Sequence, residues 1–71
     1  MFTQEELDHI FTHHPPTVNQ LERYNSIRSA ARVFAEIITV NTPVGPDQSA
    51  AIRKLRECVF TANASIALEK P

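Results

Sequence analysis

A single cysteine, Cys58, excludes an intrachain disulfide, and no cysteine pair is present to hold a metal in its place. A single glycine, Gly45, excludes a glycine-rich phosphate loop. No apolar run approaches the ~20 residues that a bilayer-spanning helix needs. The opening residues Met1, Phe2, Thr3, Gln4, Glu5 and Glu6 show neither a basic n-region nor an apolar h-region, so the chain reads as cytoplasmic and without a membrane partner. Excess positive charge is also missing. Seven Lys+Arg against eight Asp+Glu give a net charge of −1, which disfavours a duplex-DNA regulator, since such a protein must neutralise many phosphates. Any anionic ligand is then small and locally bound. A chain of 71 residues is one domain at most. Domains of that size bury only about 60% of their unfolded surface, so oligomerisation is the expected source of further stability.

What is present is helical punctuation. Thr3 and Glu6 have capping-box spacing, and Phe2, Leu7, Ile10 and Phe11 give a short amphipathic helix over about 3–11. Pro15 and Pro16 fix φ and lack an N–H, so no helix runs through them, and residues 11–16 form a pre-shaped aromatic and imidazole loop. Thr17 with Gln20 restarts the chain as a helix over 17–40, free of proline and glycine. Tyr24, Ile27, Ala31, Phe34, Ala35 and Ile38 make one apolar stripe on it, and Ala30, Val33, Ile37 and Val40 make a second on the opposite side. Asn25, Arg28, Arg32 and Glu36 fill the narrow polar strip between them. Pro43, Gly45 and Pro46 then turn the chain back into a third helix over 47–68. Its core stripe is Ile52, Leu55, Val59, Ala62 and Ile66, with Cys58 alongside. The expectation is an all-α chain: a short N-terminal helix, then a long antiparallel hairpin whose two-sided apolar faces require other subunits.

Three constellations carry possible chemistry. His9 and His13 have the i, i+4 spacing of a helical zinc pair, but the prolines stop the helix near His13 and no second ligand pair accompanies them. No metal or other cofactor is expected. Cys58, within the apolar stripe, reads as a small hydrophobe, and no enzymatic nucleophile is expected from it. The arginines differ. Arg28 sits at the edge of the main apolar stripe, one turn after Tyr24, and Ser49, Arg53, Arg56 and Phe60 share one flank of the third helix. A solvated charged face accounts for that flank. So does convergence of several copies on an anion, which a compact ring-shaped polyphosphate satisfies through bidentate guanidinium contacts.

The residues in order also resemble a known family, the small helical-hairpin phage proteins that act as sponges for immune signalling nucleotides of CBASS and Thoeris defence. The likeness spans residues 11–67. It rests on Phe11, Thr12, His13, His14, Pro15 and Pro16; on Glu22, Arg23, Tyr24 and Ile27, Arg28, Ser29; and on Ser49, Lys54, Leu55, Arg56 and the run 62–67. It implies dimers assembled into a hexamer and binding without catalysis. It implies cyclic dinucleotides held between paired subunits by Phe11, His13, His14, Asn25 and Arg28, and cyclic trinucleotides near threefold interfaces by Ser49, Arg53 and Arg56. Thoeris relatives take cyclic ADP-ribose isomers.

Three departures stand out. His13 replaces the family's usual tyrosine, Arg53 a common threonine, and Phe60 with Thr61 a frequent Met-Trp pair. Weaker, pH-dependent base stacking follows from the first. The reading from another class is a structural or protein-interaction oligomer, whose double apolar faces merely build a bundle.

Overall fold

Threonines set where the first two helices begin. In the computed structural model, which describes residues 1–70, α1 spans Gln4–Phe11, α2 Val18–Asn41 and α3 Pro46–Ala67, with no strand among the described residues. Thr3 accepts from the Glu6 N–H at the start of α1. Thr17 and Gln20 form both halves of a capping box, at 3.0 and 3.1 Å. At the far end, α2 stops where Thr42 turns extended, and the last-turn carbonyls of Ile37 and Ile38 accept from the Asn41 side-chain amide and Thr42 hydroxyl at 2.7 Å. Gln48 then clamps the hairpin turn, its side-chain amide donating to the Thr39 and Thr42 carbonyls at 3.2 Å. Pro46 occupies the first turn of α3 behind an extended Gly45, whose φ of 167° any residue adopts.

Only α2 and α3 pack along their lengths. Their seam is half-buried: Tyr24, Ile27, Ala31, Ala35 and Ile38 face Ile52, Leu55, Val59 and Ala62. Ile66 is the one buried apolar residue among those described, at 8% exposure. Two expected members of the stripes lie elsewhere. Phe34 remains 54% exposed, because the seam is filled by the smaller Ala31 and Ala35, and position 34 turns about 100° away from Ala35. Cys58 is exposed, one position off the Val59 seam, and is not a core side chain.

The protomer is a single layer of helices measuring 46 × 31 × 14 Å. Its radius of gyration, 15.6 Å, exceeds the ~11 Å expected of a compact chain of this length. Its accessible surface, 5866 Å², stands roughly 1,400 Å² above the value of about 4,450 Å² typical of a folded monomer of this mass. Val33, Phe34, Ile37 and Val40 form much of the uncovered apolar face. No described helix is long and apolar enough to cross a membrane.

Candidate functional site

The prolines deliver the loop to the open end of the hairpin, where the last carbonyls of α3 accept from the backbone N–H groups of Leu68 and Glu69 and from side chains of α1 and α2. His9 Nε2 lies 2.6 Å from the Leu68 carbonyl, and His14 Nε2 lies 2.6 Å from the His9 carbonyl. A carbonyl only accepts, so both imidazoles donate from Nε2. Their rings meet edge-on at 4.8 Å. His9 therefore fastens α1 to the end of α3, and His14, assigned from sequence to the ligand, is turned inward and fastens the loop to α1. Phe11, 83% exposed, and His13 face outward. Because α1 ends at Phe11, His9 and His13 do not share a helix, and no group of three or more His, Cys, Asp or Glu is placed to hold a metal among the described residues.

A second fastener lies beside the first. Gln20 uses one side-chain oxygen for its capping box and donates through its amide nitrogen to the Ile66 carbonyl at 3.0 Å and to Glu69. Arg23 pairs with Glu69. The Arg23 hydrogen bond holds the Glu69 carboxyl below its usual range against partial desolvation, and the same bond raises the Arg23 guanidinium. A depressed carboxylate contributes stability above its unfolded pKa, ordinarily about 4.3, and loses it as pH falls through the folded value. Both groups are well exposed, so screening keeps the contribution small. Glu69→Gln is expected to lower the melting temperature slightly at pH 7 and to leave it unchanged in acid, below the folded pKa. A difference that grew on acidification would show that the carboxylate is not the stabilising form.

The arginines meet farther along the hairpin. Arg28 Nη1 donates to Asn25 Oδ1 at 3.3 Å, joining two residues assigned to the same ligand. Arg28 also rims a groove of about 290 Å³ between α2 and α3, with Arg32 beside it and Arg56 and Phe60 opposite. The floor is apolar: Ala31 and Ala35 from α2, Ile52, Leu55 and Val59 from α3. The Arg56 guanidinium carbon lies 5.6 Å from the Phe60 ring centroid. Arg32 is offset by Glu36 at 3.5 Å.

This geometry divides the residues differently from the sequence. Arg28 and Arg56, assigned to different ligands, line one groove, whereas the exposed Ser49 and Arg53 lie outside it. His13 precedes the start of α2, and Arg28 lies roughly 15 Å along that helix from its first residue at 1.5 Å per residue. Arg32 and Phe60, which line the same groove, were not assigned as site residues from the sequence. Their i, i+4 spacing from Arg28 and Arg56 was the available signal.

A flat helical hairpin with a basic, apolar-floored groove and a rigid aromatic loop defines the class: a small all-helical hairpin protein. The chain belongs to the family described as Acb2/Tad1, hairpin domain, which matches residues 3–67; this is the anti-CBASS and anti-Thoeris sponge family. Nothing matches among curated proteins or among solved structures.

Proposed function

We propose that this chain binds and sequesters cyclic oligonucleotide second messengers of CBASS-type bacterial defence, cyclic dinucleotides foremost, without cleaving them, in the cytoplasm of the infected host. The family match over residues 3–67 carries the reading. The groove adds chemical support, because its only charged rim groups are guanidiniums in a chain whose net charge is −1.

The working unit in this reading is a dimer-based homo-oligomer, most simply a hexamer. A protomer with one buried apolar residue among those described, and roughly 1,400 Å² of excess surface, has a face the size of a standard interface to cover. Assembly also answers the separation of Phe11 and His13 from Asn25 and Arg28: a ligand between subunits meets the loop of one and the arginine of the other. Ser49, Arg53 and Arg56, on one flank of α3, are the corresponding proposal for cyclic trinucleotides.

The test is to incubate purified protein with a panel of cyclic dinucleotides, cyclic trinucleotides and cyclic ADP-ribose isomers, then heat-denature it. Depletion of a cyclic dinucleotide followed by its intact recovery is expected. Depletion of cyclic ADP-ribose isomers alone would move the reading to Thoeris signals. Degraded ligand would mean catalysis, and no depletion at all would leave a structural oligomer.

A further inference from the structure

We propose that the groove between α2 and α3 is a complete single-nucleotide subsite within one protomer, in which Arg32, Arg56 and Phe60 join Arg28 in gripping one nucleotide unit of the ligand. The inference rests on the sequestration reading for the ligand class and extends it to Arg32 and Phe60, which that reading does not assign, and to Arg56, which it gives to a trinucleotide.

Size comes first. At about 290 Å³ the groove lies near the lower edge of small-molecule sites, which begin near 300 Å³, a size that suits one nucleotide unit. Chemistry comes second. Ala31, Ala35 and Val59 offer an apolar floor for a base, and Phe60, with Arg56 over its ring, offers an aromatic edge to the groove beside it. Arg28 and Arg56 line the groove from opposite helices, and neither has a carboxylate partner among the described residues, so both guanidiniums are free to meet an anion seated there. Among the described residues, no carboxylate lines the groove. Like charges gathered over an apolar floor repel one another, and an anion between them removes that repulsion. Arg32 is held in reserve: Glu36 offsets it in the free protein, and release from Glu36 adds a third donor.

Calorimetric titration with adenosine 5′-monophosphate, adenosine, inorganic phosphate and a cyclic di-adenylate tests this. Adenosine 5′-monophosphate is expected to bind weakly but measurably, and more tightly than adenosine or phosphate alone. Arg56→Gln and Phe60→Ala should each weaken both the monophosphate and the cyclic dinucleotide about tenfold or more. Glu36→Gln, which frees Arg32, should tighten both several-fold, a gain that a merely structural role for these residues does not produce. Both Arg56 and Phe60 are exposed, so these variants are expected to keep the fold, with circular dichroism and light scattering as the check.

The inference is overturned if the cyclic dinucleotide binds wild type while Arg56→Gln, Phe60→Ala and Glu36→Gln all stay within twofold of it; the sequestration reading then survives alone. If the monophosphate binds with this pattern and no cyclic nucleotide does, the subsite stands and the sequestration reading fails. If Arg56→Gln or Phe60→Ala instead dissociates the oligomer, a second copy fills the groove and the subsite is wrong.

Discussion

His13→Ala combined with Arg28→Ala is expected to weaken cyclic dinucleotide binding by roughly two to four orders of magnitude. Base stacking contributes about 1 to 3 kcal/mol, a hydrogen bond to a charged group about 1.5 to 3, and each 1.4 kcal/mol is tenfold. The two losses should add, since Arg28 lies roughly 15 Å along α2 from the loop that carries His13, and the proposed site brings the two to the ligand from different subunits. Among the described residues, His13 is the one histidine whose ring makes no intramolecular hydrogen bond, which leaves it free for the proposed stacking. His13→Tyr, restoring the usual aromatic of the family it resembles, should hold or improve affinity. Truncating His14 is a different experiment. Its Nε2 is committed to the His9 carbonyl, so His14→Ala should loosen the loop and α1 before it affects any direct contact. Calorimetry with a cyclic dinucleotide on each variant checks the set. Wild-type affinity in the double variant, with assembly intact, would place the pocket elsewhere.

Charging the uncovered apolar face should have an equally large effect by another route. Val33→Glu with Ile37→Glu puts two carboxylates, one turn apart, on the face of α2 that the hairpin leaves open. Full burial of such side chains is worth about 1.5 to 3 kcal/mol each, and buried charge adds a desolvation cost, so subunit association should fall by at least roughly a thousandfold. The protomer has little core of its own, so helicity should fall with association and become dependent on protein concentration. Lys54→Glu, an exposed polar position on α3, is the matched control and should leave assembly unchanged. Analytical ultracentrifugation with circular dichroism reads both. A double glutamate variant that stays assembled at wild-type mass would mean that this face is not an interface.

The elements themselves were legible in the sequence, because they depend on local chemistry. Pro15 and Pro16 end one helix, the Thr17 and Gln20 capping box begins the next, and Pro43 and Pro46 turn the chain; each effect acts within about four residues and needs no tertiary partner. The excess of apolar surface was legible too, since α2 carries more apolar positions than one partner helix can cover. Which of them face α3 was not. Helical periodicity says that residues share a face, not which face is chosen, and the choice of the small Ala31 and Ala35 for the close seam left Phe34 outside and Cys58 exposed. The histidines divided for the same reason. Whether an imidazole binds a carbonyl or faces solvent depends on what the far end of the chain brings to it, and Leu68 reaches His9 across 59 residues. The groove that joins Arg28 to Arg56 exists only because α2 and α3 lie antiparallel in one register, a relation set by packing and written in neither helix alone.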